Sequence, residues 1–246
     1  MALSSDTLIH FTNSKEALKG ILADNFKIKY CQETIKLHGV EEVLHIPMVS
    51  FCDIPLSQIK NHISSYGNYG IGLSKKWALK KRLNPVLYVQ ESSSLAQSYE
   101  ELVKFLFKEE VEGTLDKKAR RMGADIVRYI KNYEGPLKRG ESLVVKYRYS
   151  DEREWRYVPA HEEACAMLYT AEDFKEIGKI SANNQLNSFR LNFGPDDIKY
   201  IIIKDDDEIR EFVEYLRNVK GDKYSLRQIE RLTTRLLTSE QIQSDI

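Results

Sequence analysis

The stretch "DIKYIIIKDDDEIREFVEYLRNV" (197–219) contains the two patterns that decide the fold class. Its first part is a short isoleucine-rich run, which predicts a buried strand, and its second part carries apolar residues at helical spacing, which predicts an amphipathic helix. The three aspartates between them stand where acidic residues favour a helix N-terminus. Strands and helices are therefore expected to alternate along this chain.

Further strand patterns lie on both sides of this stretch. Helical patterns separate them, as in "TNSKEALKGILADNF" (12–26), which Thr12, Asn13 or Ser14 can cap. The order is too irregular for regular βαβ winding, so the sequence predicts an α+β fold with a strongly bent mixed sheet of about six or more strands, covered by helices. The predicted strands are Thr7–Phe11, Val49–Cys52, Tyr69–Leu73, Pro85–Val89, Leu143–Arg148, Phe189–Phe193 and Tyr200–Ile203.

The end of the chain is predicted to form a small helical appendage. From Ser225, "LRQIERLTTRLL" has leucines and an isoleucine at helical spacing, with Arg227, Arg231 and Arg235 on a basic face, and a short cap follows from Thr238. This basic face is a candidate contact for a partner or for nucleic acid. The sequence thus predicts an α+β domain over residues 1–222 and a C-terminal helical appendage over residues 223–246.

The composition is that of a globular protein without a strong electrostatic preference for a partner. The 37 basic and 37 acidic residues balance, so nucleic acid stays open as a partner but is not indicated by net charge. No apolar run approaches the roughly 18 residues of a membrane helix, and no secretion signal is evident. Three widely spaced cysteines favour a reducing compartment, so a cytoplasmic location is expected.

The segment "DEREWRY" (151–157) places five charges and a tryptophan after "SLVVKYRY" (142–149), whose alternation predicts a half-buried strand. Either the strand emerges into solvent as a charged edge, or it presents a carboxylate to a ligand. Strand alternation puts Glu152, Glu154 and Arg156 on one face and Trp155 on the other. We favour the second interpretation: Glu154 points into a cleft shared with His10, Arg156 offsets its charge, and Trp155 anchors the strand in the core.

Two stretches nearer the N-terminus are candidate binding elements. His10 closes a strand and could hold a nucleotide or be satisfied by a backbone carbonyl. The glycines in "YGNYGIGLSKKW" (66–77) could let the backbone approach a ligand or form a hairpin turn, and Ser74 could orient a hydroxyl or cap the next helix. The glycine spacing does not match the dinucleotide fingerprint, and the histidines and cysteines do not show zinc spacing, so no metal is expected.

Six stretches in chain order resemble the AbiGi family of abortive-infection phage resistance proteins, which are described as antitoxins. The resemblance implies a phage-defence role as the antitoxin-type member of a two-gene system, with a cognate toxin as the partner. The stretches are "LIHFTNSKEALKGIL", "PMVSFCDIPLSQIKNHISSYGNYGIGLSKKW", "PVLYV", "DEREWRYVP", "DIKYIIIKDDDEI" and "RLTTRLLTSEQI".

A more distant likeness is to the ADP-ribosyltransferase superfamily, through an early "HFT" (10–12), an aromatic and glycine-rich middle strand and a late strand bearing a glutamate. It implies an enzyme that uses NAD, or a nucleotide-binding sensor on the same scaffold. The chain departs from that pattern, since it has no S-T-S motif in the middle strand. The roles implied by position are NAD ribose binding by His10 with Thr12, nicotinamide packing by the strand bearing Tyr69, Gly72 and Ser74, and action on the ribose or acceptor by Glu154 or else Glu152.

Overall fold

A computed structural model of the chain describes residues 5–107, 117–139, 142–160, 165–221 and 223–245. The strands are β1 (Thr7–Thr12), β2 (Phe26–Lys27), β3 (Lys29–Leu37), β4 (Val40–Cys52), β5 (Tyr69–Ser74), β6 (Asn84–Pro85), β7 (Leu87–Val89), β8 (Ile130–Asn132), β9 (Gly135–Arg139), β10 (Ser142–Tyr147), β11 (Glu154–Tyr157), β12 (Tyr169–Thr170), β13 (Arg190–Leu191), β14 (Ile198–Ile203) and β15 (Leu236–Thr238). The helices are α1 (Lys15–Asp24), α2 (Lys60–Tyr66), α3 (Lys75–Lys80), α4 (Ser94–Phe107), α5 (Lys117–Val127), α6 (Ala171–Ile177), α7 (Lys179–Asn184), α8 (Ile209–Lys220), α9 (Leu226–Thr233) and α10 (Ser239–Asp245). The α+β class with a mixed sheet is confirmed.

The chain divides into two compact units that are each assembled from separate segments. The first unit contains Met1–Lys27, Ser50–Leu83 and Arg190–Ile246, and the second contains Ile28–Val49 and Asn84–Phe189. None of the helices in the described ranges is long and apolar enough to cross a membrane.

The first unit is built on a mixed sheet with the order β15-β14-β5-β1-β4. Strands β14 and β15 are parallel, whereas β5 is antiparallel to both β14 and β1. An aliphatic cluster covers one face, with Ile9 and Ile202 from the sheet packed against Ile63 of α2 and Ile242 of α10. Alternation along β1 sends Leu8 and His10 to the opposite face, since neighbouring side chains on a strand point in opposite directions.

Gly72 lies where strand β5 passes between β1 and β14, so a side chain there would collide with its neighbours. We expect Gly72→Ala to lower the free energy of unfolding by about 1–3 kcal/mol, because its Cβ would lie 2.8 Å from Cδ2 of Tyr200 and 2.9 Å from Cγ2 of Thr7. In Gly20→Ala on α1 the new Cβ would meet no atom within 4 Å, and this control should gain about 0.5–1 kcal/mol. Urea unfolding of Gly72→Ala and Gly20→Ala measures both changes. Equal stability of the two variants would contradict the predicted collision at Gly72.

The second unit contains a long antiparallel hairpin of β3 and β4, with Leu37 opposite Val40. His38 and Gly39 form its tip with φ of 48° and 81°, and two consecutive positive φ angles are typical of the type I′ turns that join such strands. The core of this unit packs Ile35, Leu44 and Ile46 of the hairpin against helix α4 and the short parallel pair β7 and β8.

Several predicted elements need correction. The sequence prediction missed β3 and the first half of β4, and predicted Pro85–Val89 as one strand, whereas it forms β6 and β7 with different partners. The prediction of β10 as half-buried is also wrong, because Leu143, Val144 and Val145 are 58%, 45% and 77% exposed. The pattern of β10 resembles that of a strand in the interior. Among the described residues, however, β9 and β10 form a two-stranded sheet of their own, which leaves these side chains exposed.

The C-terminal segment is not purely helical. Helix α9 ends at Thr233, and Leu236–Thr238 forms β15, which pairs in parallel with Ile201–Ile203. The predicted helix through Leu237 is therefore wrong, since main-chain pairing with β14 overrides the leucine spacing. Part of the predicted basic face is neutralised, because Arg231 forms an ion pair with Asp196. A domain boundary at residue 222 and a binding role for this face stay predictions.

Candidate functional site

Strand β11 carries its charges on its buried face. Glu154 and Arg156 are 4% and 0% exposed, whereas Trp155 between them is half-buried and stands opposite Pro85 of β6. The predicted core anchor at Trp155 and the alternative of a solvated charged edge are therefore both wrong. An ionised side chain survives such burial only when it is paired and hydrogen-bonded, so the partners of this strand decide what the site is.

The guanidinium of Arg156 is held on several sides. Its Nε donates to Oε1 of Glu154 at 2.6 Å, its Nη1 donates to the Arg128 carbonyl oxygen at 3.0 Å, and its Nη2 forms an ion pair with Glu33 of β3. Lys131 of β8 lies on the other side of Glu154, with its Nζ 2.8 Å from Oε2. The predicted offset of the Glu154 charge by Arg156 is confirmed.

Glu152 joins the same cluster by a different route from the predicted one. It lies in a 3₁₀ turn (Tyr149–Glu152) that precedes β11, and Arg153 follows in the left-handed region with φ of 48°. This change in chain direction, rather than strand alternation, brings Glu152 and Glu154 to one cation: Nζ of Lys131 lies 3.3 Å from Oε2 of Glu152. Three carboxylates, those of Glu33, Glu152 and Glu154, thus face the two cations Lys131 and Arg156.

The two carboxyl groups of this cluster have opposite pKa shifts. Burial would raise the pKa of Glu154, but the charges of Arg156 and Lys131 outweigh it and hold that pKa well below the usual range. Burial, together with the charges of Glu154 and Glu33, raises the pKa of Glu152 to about 8. At neutral pH Glu154 is therefore an ionised and weak base, while Glu152 holds a proton that it can donate.

Sequence reasoning missed Glu33 and Lys131, which complete the cluster. Lys131 stands on a three-residue strand and Glu33 in the middle of β3, and neither belongs to a motif. The alternation around "TIKLHGVEEVLHI" (34–46) could have indicated the hairpin that carries Glu33. No local pattern could have indicated which of its charges is buried, because the partners of Glu33 lie far away in the sequence.

His10 of β1 is half-buried among aromatic rings of the first unit. Its ring centroid lies 5.2 Å from that of Phe26 and 5.7 Å from that of Phe51. Nδ1 is 2.8 Å from the Ser50 carbonyl oxygen, and since a carbonyl only accepts, Nδ1 carries the proton and Nε2 is an acceptor. Burial outweighs this hydrogen bond and lowers the pKa of His10, so the ring is neutral at pH 7.

The other predicted binding residues lie on β1 and β5 in that same unit. Thr12 stands opposite Tyr69 in the antiparallel pair. The Tyr69 hydroxyl donates to Oε1 of Glu208 at 2.9 Å, and burial together with this partner raises the pKa of Tyr69 to about 12. Ser74 caps helix α3 by accepting the Trp77 amide at 3.2 Å, so the capping interpretation is confirmed.

The predicted site residues thus form two groups. The first unit brings His10, Thr12, Tyr69, Gly72 and Ser74 onto neighbouring strands, and the second unit brings Glu152 and Glu154 together at Lys131. A cleft shared by the two groups stays a prediction. Within the described part of the chain, no group of three or more His, Cys, Asp or Glu side chains could hold a metal ion.

The part of the chain that contains the buried charges matches a known protein family. A family model described as "Putative abortive phage resistance protein AbiGi, antitoxin" matches residues 23–204. This range includes the Glu33–Arg156 cluster but not His10 or the C-terminal segment. A curated relative from Lactococcus lactis subsp. cremoris, "Abortive phage resistance protein AbiGi", is 27% identical over 223 residues, which cover 82% of this chain and 89% of the relative. No solved structure matches the chain, so the ADP-ribosyltransferase likeness stays a prediction.

Proposed function

Because the chain belongs to the AbiGi family of abortive phage resistance proteins, we propose that it is the antitoxin-type member of a two-gene defence system and acts by restraining a cognate toxin. The observation that carries this proposal is the family match over residues 23–204, whose description names both phage resistance and an antitoxin. The Lactococcus relative supports the phage-defence part of the proposal across most of both chains.

The chemistry of the cluster supports a binding protein more strongly than a catalyst. Restraint of a toxin by direct binding requires a stable surface rather than a reactive group. Glu154 is saturated by Arg156 and Lys131, and its lowered pKa makes it a poor general base. A buried ion network of this kind favours one conformation of the surrounding strands over alternatives.

Expression of the neighbouring gene tests the proposal. We expect the neighbouring gene alone to arrest growth, co-expression with this chain to restore it, and phage resistance to require both genes. The control is this chain alone, which should neither slow growth nor protect against phage. A harmless neighbouring product, or full phage resistance from this chain alone, would contradict the antitoxin function.

A second candidate is an NAD-using or NAD-binding protein, and the opposite pKa shifts of Glu152 and Glu154 favour it. Paired carboxyl groups with separated pKa values are typical of sites that transfer protons. NAD should then raise the melting temperature of the wild type and be consumed by it, and in the enzymatic case Glu152→Gln should reduce turnover by about 10²-fold. His10→Ala should reduce the thermal shift. If NAD neither stabilises the wild type nor is consumed by it, this candidate is excluded.

A further inference from the structure

Strand β10, in the hairpin of β9 and β10, is exposed although its run of aliphatic residues is typical of a buried strand. Within the described residues these two strands pair only with each other, with Leu143 opposite Lys138 and Val144 opposite Leu137. An isolated two-stranded ribbon is marginally stable in water. The free edge of β10 therefore presents main-chain groups that can pair with another strand.

Both faces of β10 carry exposed aliphatic side chains. Leu143 and Val144 are neighbours on the strand and therefore point to opposite faces, and they are 58% and 45% exposed. Val145, at the register shift between Val144 and Tyr147, is 77% exposed. Apolar residues on both faces are typical of strands that are covered on both sides. Natural edges are usually protected by charges, prolines or bulges. In β10 such features occur only towards its end, at Lys146 and at the register shift between Val144 and Tyr147, whereas the aliphatic side chains of Leu143 and Val144 stand exposed before them.

The charge around this edge indicates an acidic partner. Residues 134–148 carry a net charge of +2, although the whole chain is neutral: the basic residues are Lys138, Arg139, Lys146 and Arg148 and the acidic ones are Glu134 and Glu141. Lys146 is ion-paired with Glu134, so the excess charge comes from the other basic residues. A second copy of this chain would bring like charges together across the paired edges, which is unfavourable. An acidic segment would instead complement them.

The same edge is poorly suited to nucleic acid. The Tyr147 and Tyr149 rings pack against each other with centroids 5.5 Å apart, and the Tyr149 hydroxyl donates to the Pro136 carbonyl oxygen at 2.5 Å. These rings are engaged within the hairpin, whereas single-stranded nucleic acid needs aromatic faces on which bases stack. The aliphatic centre of β10 offers nothing to phosphate groups, so a protein segment fits better.

We propose that β10 is the docking edge for an extended, acidic segment of the cognate toxin, an inference that rests on the proposed antitoxin function. The toxin segment adds a strand beside β10, and main-chain hydrogen bonds supply much of the affinity. Aliphatic side chains of the segment cover Leu143 and Val145, and its acidic residues complement the net positive charge of the hairpin sequence.

Calorimetric titration with the purified product of the neighbouring gene tests this edge. Val145→Glu should weaken binding by at least about 10-fold, because it removes an apolar contact and introduces a charge of the partner's sign. Val145→Lys removes the same contact but keeps the basic charge, so it should weaken binding less. The matched control is Ile180→Glu on α7, since Ile180 is 78% exposed and should leave binding unchanged. Circular dichroism should show the same fold in all variants.

The outcomes distinguish a wrong docking edge from a wrong antitoxin function. If Val145→Glu binds as tightly as the wild type, or if Val145→Glu and Ile180→Glu weaken binding equally, the docking edge is wrong. The antitoxin function is not affected by either result. Self-association through Val145, or oligonucleotide binding that Val145→Glu abolishes, also overturns the docking edge in favour of another occupant. A wild-type chain that neither binds nor neutralises the neighbouring product overturns the antitoxin function, and the docking edge with it.

Discussion

Replacing Arg156 with methionine should lower the free energy of unfolding by about 3–5 kcal/mol. The Arg156 side chain is fully buried, and its guanidinium binds Glu154 and Glu33. Methionine keeps much of the apolar volume of arginine but leaves the buried Glu154 and the partly buried Glu33 without their shared cation. Desolvating an uncompensated charge costs far more than the loss of one hydrogen bond. Urea unfolding followed by circular dichroism measures the difference.

Two further variants separate the charge from the packing of Arg156. Arg210→Met breaks the ion pair with Glu214 at a side chain that is 90% exposed, and it should change stability by no more than about 0.5 kcal/mol. Combining Arg156→Met with Glu33→Gln removes the carboxylate whose ion pair is lost and leaves Glu154 paired with Lys131, so it should restore part of the loss. A loss below about 1 kcal/mol in Arg156→Met alone would contradict a buried ion network.

The fold class could be predicted because it depends on local patterns. The isoleucine run that forms β14 and the amphipathic helix α8 after it each follow from side-chain periodicity within about ten residues. The same holds for β1, β5 and the Ser74 cap, whose partners lie within a few residues or whose faces alternate regularly. Elements of this kind are specified by residues that are close in the sequence, so local patterns are enough to predict them.

The remaining features depend on residues that are distant in the sequence. Leu236 has helical spacing, but Ile201 offers it a strand partner, and the ladder decides its conformation. Likewise "DEREWRY" has the composition of a surface, but Glu154 and Arg156 are buried. Their charges are compensated by Lys131 and by Glu33, which lies 123 residues away from Arg156 in the sequence. Ion pairs between residues so far apart produce no periodic pattern in the sequence. The opposite error occurs at Val145, whose aliphatic neighbours predict burial that the hairpin does not provide.

Replacing Glu152 with glutamine should make the protein more stable than the wild type at alkaline pH and change the pH dependence of unfolding. Glu152 is buried beside Glu154 and Glu33, and its pKa is raised from the ordinary value of 4.5 to about 8. Between these two values the folded state holds a proton that the unfolded state has released. Rising pH therefore favours unfolding of the wild type throughout this window, by at most about 1.4 kcal/mol per pH unit.

Glutamine imitates the protonated carboxyl group and cannot ionise, so this part of the pH dependence should disappear in Glu152→Gln. The stability gap between variant and wild type should be small below pH 4.5, widen as the pH rises, and level off above about 8. Glu214→Gln, at a side chain that is 58% exposed, should change the free energy of unfolding little at any pH. Curves for Glu152→Gln and wild type that run parallel across the window would mean that Lys131, 3.3 Å away, keeps Glu152 ionised in the folded protein. The cluster would then hold a permanent negative charge in its interior, and Glu152 would have no proton to donate.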